Sequence, residues 1–364
     1  MAFDLKNILS SFKKNTQSAP MHVVGIDVGS SSIKVVELEQ TPKAITLRTY
    51  GELQLGPYVD KGLGEAVTLE PERLTEALVD VVRESSVKAK DGVLAIPLAA
   101  SFVTVIPVTV RAQETIESKI RIEARKYIPV PLSDVTLDWS ELRTYGDNEG
   151  SVHEMLLAAI QNEAFERYQN LMSSVQMVSQ PSEIEVFSTL RGVNIPSENI
   201  SAIIDFGAET SKLYISRTGA LERIHRIYDG GAACTKRIAR LLEISSEEAE
   251  NVKRSYDPKG EHARDIYKVY TSTVERSVQE FKRVIEQYEA RLGEPIDKVI
   301  ITGGAASFEG ADTYISDLLS RDVVRANPFS KVAYPAFMED TLDEIGVSFS
   351  TALGAALRPF ETLT

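Results

Sequence analysis

Cysteine is nearly missing from this chain: its 364 residues include one, Cys234. That excludes a disulfide framework and a thiolate metal site, and it suits a reducing cytoplasm. As a nucleophile Cys234 has little support; a small buried apolar role fits it better. Histidine is scarce as well. His22, His153, His225 and His262 stand far apart without ligand spacing, so no structural metal is expected. Positive charge is in deficit, with a net charge of −13, which argues against nucleic acid as the main partner. There is no G-x-x-x-x-G-K-[ST] loop and no G-x-G-x-x-G after a strand. The first residues carry no apolar signal-peptide core. The longest uncharged run, Gly92 to Val110, contains Pro97 and Pro107 and is rich in valine and threonine. It reads as two buried strands joined by a turn, and no membrane span is expected.

What the chain does have is apolar content, 43% of its residues, enough for two or more domains. The stretch Val23 to Leu38 organises the rest. It reads as strand, tight turn, strand, with Asp27 closing the first strand and Gly29-Ser30-Ser31-Ser32 in the turn. Closely spaced backbone N–H groups and hydroxyls with no bulky Cβ can cradle a phosphate. A carboxylate beside a phosphate needs a cation between them, so Asp27 points to Mg²⁺ held through water. Taken alone, the stretch is equally a plain hairpin. It recurs, however, about one domain length later: Ile200 to Ile215 repeats the device, with Asp205-Phe206-Gly207 and Ala208-Glu209-Thr210. Two such units facing each other would clamp the phosphates of a nucleotide.

A third site is Lys298-Val299-Ile300-Ile301-Thr302-Gly303-Gly304-Ala305, a buried strand running into a glycine pair. The pair either lets the backbone lie against a planar or anionic ligand or makes an ordinary strand-to-helix turn. Helices are expected over Glu72–Glu84, Glu114–Tyr127, Glu163–Ser174, Glu183–Gly192, Ala232–Leu242, Tyr267–Leu292 and Phe349–Leu357. Ser245 reads as an N-cap followed by first-turn acids, opening a helix through Lys253. The small-residue helix Phe349–Leu357, paired with Glu183–Gly192, would form a hinge between two halves. Residues 99–178 read as a β-α-β-β-α insertion. Near the start, Leu5, Ile8, Leu9 and Phe12 share one helical face beside lysines, which suits a membrane or partner contact, or a helix docked on its own domain.

In this order the pieces resemble the actin/Hsp70/hexokinase superfamily, an α/β, two-lobed ATPase fold. The insertion is of the kind found in FtsA. The phrases Glu123-Ala124-Arg125-Lys126-Tyr127-Ile128-Pro129, Leu132-Ser133-Asp134-Val135, Asp205 to Thr210 and Arg226-Ile227-Tyr228-Asp229-Gly230-Gly231 look like the PilM family of type IV pilus assembly. The resemblance covers Val23 to Pro359. It implies subdomain 1A from residues 21–98, 179–198 and 343–364, and an inserted subdomain 1C over 99–178. It also implies 2A from 199–231 and 297–342, 2B over 232–296, and a tail over 1–20.

The resemblance further implies ATP in the cleft, with Gly29, Ser30, Ser31, Ser32 and Lys34 on one side of the phosphates. Gly207, Ala208, Glu209, Thr210 and Lys212 stand on the other. Asp27 and Asp205 would hold water on Mg²⁺. Glu250 and Lys253 would reach ribose and adenine, or else lie on a solvated helix face. Gly303, Gly304 and Ala305 would flank the base. Glu183 and Glu185 are both open as the residue that orients water, with slow ATPase activity at most. The implied role is a scaffold at the inner face of the inner membrane, cytoplasmic and peripheral. It would bind the cytoplasmic N-terminal peptide of a PilN-like protein, other pilus or type II secretion platform proteins, and further copies of itself. The rivals are an FtsA-like membrane-tethered polymer and a small-molecule kinase of the same superfamily.

Overall fold

A computed structural model of the chain describes residues 21–111, 114–147, 150–179, 182–193, 195 and 200–361. The amphipathic stretch Leu5–Phe12 lies outside them.

Lobe 1 opens with β1 (His22–Val28), β2 (Ser32–Gln40) and β3 (Ile45–Gln54), then α1 (Pro71–Glu84) and β4 (Asp91–Ile96). The sheet order is β3-β2-β1-β4, with β1 antiparallel to β2 and parallel to β4. The apolar run of β1 is continuous because the sheet is covered on both faces. Val24 and Ile26 face α1, while Val23 faces the C-terminal helix. Between them Gly25 clears a path for that helix: a Cβ there would sit 2.0 Å from the Ala352 carbonyl oxygen.

The insertion follows: β5 (Ser101–Arg111), α2 (Ile116–Ala124), β6 (Val135–Asp147), β7 (Gly150–Gln161) and α3 (Asn162–Ser174). Its antiparallel sheet has the order β5-β7-β6, with α2 packed over one face. The Gly92–Val110 run falls in β4 and β5, as two strands. Among the described residues no helix is long and apolar enough to cross a membrane. Helix α2 is shorter than its periodicity suggests, because the Thr115 capping box starts it late.

The chain returns through β8 (Val178–Ser179), β9 (Glu183–Ile184) and α4 (Glu185–Gly192). The helix expected over Glu183–Gly192 therefore starts at Glu185; Glu183 is a strand residue that extends the sheet beside Ala95. Lobe 2 repeats the plan of lobe 1. Its strands β10 (Ile200–Phe206), β11 (Ser211–Arg217) and β12 (Ala220–Ile227) precede α5 (Gly231–Leu242), α6 (Ser246–Arg254) and α7 (Ala263–Leu292). Then come β13 (Lys298–Thr302), α8 (Ala311–Leu319) and β14 (Val323–Arg325), giving the order β12-β11-β10-β13-β14. Ser245 caps α6 through a capping box, as its sequence signals. Helix α7 begins at Ala263 rather than Tyr267, and Ile266, Tyr270, Val278, Phe281 and Ile285 bury its apolar stripe.

Last come α9 (Glu339–Gly346) and α10 (Ser350–Glu361). Phe329, Val332 and Leu342, from a stretch grouped with lobe 2 on sequence, pack in the core of lobe 1. Helices α4 and α10 cross where both present glycine. A Cβ on Gly192 would lie 1.8 Å from the Ser350 oxygen, and one on Gly354 would lie 1.8 Å from the Ser188 oxygen. Thr189 and Thr351 share a hydrogen bond of 2.9 Å there.

Candidate functional site

The two hairpins meet across a cavity of about 530 Å³ between the lobes. In each, the same turn forms: the Gly29 N–H donates to the Ser32 carbonyl and the Gly207 N–H to the Thr210 carbonyl, both at 3.0 Å. In each, strand register pairs the aspartate with a lysine, Asp27 with Lys34 and Asp205 with Lys212. Both aspartates line the cavity, as do Gly29 to Ser32, Gly207 to Thr210 and both lysines.

The floor of the cavity is charged and buried. Asp27 is pushed up to about 6 by burial; Lys34 and Lys212 pull it down against the repulsion of Glu185 and Asp205, but do not cancel the burial. Asp205 is raised as well, by burial and by Glu185, against the pull of Lys212. Burial works against the Lys212 ammonium, but Glu185 and Asp205 outweigh it and hold its pKa well above the usual value. The ammonium lies 2.9 Å from Glu185 and 3.3 Å from Asp205. The same Glu185 oxygen, Oε1, also accepts the Leu98 N–H at 2.8 Å.

Between the two glutamates left open by sequence, the structure separates the surroundings. Glu185 lines the cavity. Glu183 does not; it is paired with Arg191 and, at 3.5 Å, Arg358, and it accepts the Ser188 hydroxyl at 2.6 Å. Burial resists its charge, yet the two arginines win and lower its pKa. Its partners lie on α4 and α10.

On the roof, Glu250 and Lys253 do not lie on a solvated face. Glu250 is 3% exposed and accepts from Thr235 at 2.6 Å, Lys253 at 2.5 Å and Arg254 at 2.8 Å. Gly303 has φ +88°, and a Cβ there would lie 2.5 Å from the Asp205 carboxylate. Only glycine lets this turn pass so close to the aspartate. With Gly304 and Ala305 it lines the same cavity. Thr302 ties the turn to the start of α10 through the Val347 carbonyl at 2.8 Å and the Ser350 hydroxyl at 2.7 Å.

Several lining residues carry no signal in the sequence. Glu52 sits opposite Lys34 in the β2–β3 register and bonds it at 3.4 Å. It also meets Arg254 of lobe 2 at 3.5 Å, so an ion bridge spans the mouth of the cleft. Although burial resists its charge, Lys34 and Arg254 draw Glu52 down to about 2. Tyr270 stacks on Phe308 at 4.0 Å and donates to the Ala305 carbonyl at 3.0 Å. Cys234 lines the cavity but is buried, and burial pushes its thiol up to about 11, so it is no thiolate.

A family model described as type IV pilus assembly protein PilM matches residues 25–360. The chain belongs to the PilM family. Among solved structures, a PilM–PilN type IV pilus biogenesis complex is similar, with TM-score 0.76 and 25% identity. That match covers 92% of this chain and 98% of the other. The ethanolamine utilization protein EutJ from Carboxydothermus hydrogenoformans is similar at TM-score 0.58 and 15% identity, over 97% of this chain and 94% of EutJ. MreB5 of Spiroplasma citri bound to ADP follows at TM-score 0.55 and 12% identity, over 94% and 97%. The fold is thus the actin-like one, and this PilM chain is an actin-like protein of type IV pilus assembly.

Proposed function

We propose that this PilM chain is a nucleotide-dependent scaffold that binds ATP with Mg²⁺ between its lobes. In that state it holds the cytoplasmic N-terminal peptide of a PilN-like membrane protein. One observation carries the nucleotide reading: Asp27 and Asp205, far apart in sequence, close the same cavity beside two matching turns. Both carboxylates are biased toward protonation by burial and by neighbouring carboxylates. A hydrated Mg²⁺ would supply the positive charge they lack. The turn N–H groups of Gly29 and Gly207, with Lys34 and Lys212, are the donor set that phosphates require. Lys253, Glu250 and the Gly303–Ala305 turn would border the nucleoside.

Glu185 is the remaining candidate for orienting water. Its Oε1 already holds Lys212 and the Leu98 N–H. Slow turnover and a binding role fit that geometry. The PilN reading rests on family membership and on the similar PilM–PilN complex. Such a partner would place the chain at the inner face of the inner membrane.

Fluorescent ATP titrated with and without Mg²⁺ tests the cleft. Wild type should bind tighter with Mg²⁺, and Asp27→Ala and Asp205→Ala should lose most of that difference. Equal affinity for all three would overturn the reading. Retention on an immobilised peptide of the PilN-like N-terminus tests the scaffold, and no retention would refute it.

A further inference from the structure

The stretch Arg226 to Gly231 is pinned to the lobe 2 turn. The Gly231 and Ala232 N–H groups donate to the Gly207 and Ala208 carbonyls, both at 2.9 Å, and the Ser211 hydroxyl donates to the Asp229 carbonyl at 2.6 Å. Strand register sets Arg226 of β12 opposite Lys212 of β11, which stands in turn opposite Asp205 of β10. Directly opposite residues share a face of the sheet. Asp205, Lys212 and Arg226 therefore form one row, and all three line the cavity. Lobe 1 has the matching row, Asp27, Lys34 and Glu52. Its third place holds an acid where lobe 2 holds a base.

Five cationic side chains line the cavity among the described residues, and four of them face carboxylates. Lys34 meets Glu52 at 3.4 Å, and Lys212 meets Glu185 and Asp205. Lys253 meets Glu250 at 2.5 Å, and Arg254 meets both Glu250 and Glu52. Arg226 makes no ion pair among the described residues. Its guanidinium lies over the Tyr228 ring instead, 4.9 Å from the centroid, and Tyr228 is 72% exposed. Stacking orients the planar group and leaves its in-plane N–H donors for another acceptor. Like charges directly opposite on one face cost stability, and an anion bound against Lys212 and Arg226 removes that cost.

The order of the sheet selects the anion. The Gly303–Ala305 turn, the proposed border of the nucleoside, follows β13. Strand β12 lies at the other side, beyond β10 and β11. A nucleotide with its base at the β13 side and its phosphates over the two turns brings its last phosphate toward β12. We propose that Arg226, held on Tyr228, reads the terminal phosphate and so lets this PilM chain tell a nucleoside triphosphate from a diphosphate. This rests on the proposed function. The turn N–H groups and the two lysines serve a diphosphate as well; the third phosphate adds charge that a guanidinium fork can take.

The test is a competition measurement on the full chain with Mg²⁺. Fluorescent ADP is displaced by unlabelled ADP and by the hydrolysis-resistant triphosphate analogue AMPPNP. Wild type should prefer AMPPNP. Arg226→Met should cut that preference by about tenfold or more, through weaker binding of AMPPNP. Arg226→Lys keeps the charge without the fork or the stack and should fall between the two. Tyr228→Ala removes the ring that orients the guanidinium and should cut the preference by about two- to fivefold. Should Arg226→Met not fold, Tyr228→Ala changes only an exposed side chain and carries the test. A preference unchanged in the folded variants, or affinities for both ligands lowered alike, overturns the proposal. So does a wild type that binds both ligands equally, and that result leaves the nucleotide reading standing. A wild type that binds neither ends both.

Discussion

The hairpins β1–β2 and β10–β11 present one design in two electrostatic settings. Both set an aspartate against a lysine across the strands, and both close with a glycine N–H on a carbonyl three residues on. In lobe 2 the lysine is locked: Lys212 touches Asp205 and reaches Glu185 of lobe 1 beneath the cavity. In lobe 1 the lysine is held loosely. Lys34 leans on the Ser32 hydroxyl at 2.8 Å and on Glu52, which it shares with Arg254. The floor of the cleft is thus bridged by a buried pair and its mouth by a half-exposed one. A duplicated motif keeps its backbone while neighbours from the opposite lobe assign each copy its charge.

The largest expected effect comes from the joint between the copies. Gly354→Ala would drive a methyl into the Ser188 backbone, which cannot yield without moving α4. Chemical denaturation should show a loss of at least about 3 kcal/mol or failure to fold. Ordinary stability in that variant would mean the helices do not cross so closely.

Next is the contrast between the lysines. Lys212→Met strands Glu185 and Asp205 in a buried site and should cost about 3–5 kcal/mol. Lys34→Met leaves Glu52 its arginine and should cost about 1–2 kcal/mol. Equal losses in urea melts would erase the distinction drawn between floor and mouth.

A smaller effect concerns Asp27. Its folded pKa, about 6, lies above the ordinary value of 3.8. The stability tied to its protonation is complete below the ordinary value and disappears as pH rises through about 6. Without nucleotide or Mg²⁺, Asp27→Asn should therefore exceed wild type by about 3 kcal/mol at pH 8 and match it near pH 4. Thermal melts in chelator at both pH values check the sign; a variant less stable than wild type at pH 8 would contradict it.

Least is expected of the mouth. Arg254 is about half exposed along its side chain, so Glu52→Gln should change stability by under about 1 kcal/mol, and by less in high salt. A large, salt-independent loss would show that the mouth is as firmly held as the floor.

Much of this was readable before any coordinates. The D-x-G turns, the glycine pair at Gly303 and the strands and helices around them leave local marks, because tight turns demand glycine and buried strands demand apolar runs. The Ser245 cap was legible for the same reason. Glu52, Arg254 and Tyr270 were not, since their roles come from strand register and from the opposite lobe. Nor could Glu183 and Glu185 be told apart. They sit two residues apart in similar company, and only their placement on a strand end and a helix start sends one to Arg191 and Arg358 and the other to the cavity.

Local chemistry, written in order along the chain, sufficed for two matching strand–turn–strand units, and the resemblance their order carries implied the two-lobed actin-like architecture. Which charges face each other, and the attachment of the insertion to the lobe it does not belong to by chain, required the folded molecule. Ion pairs such as Arg143 with Glu222 join residues with no periodic relation, so no pattern within a single stretch can announce them.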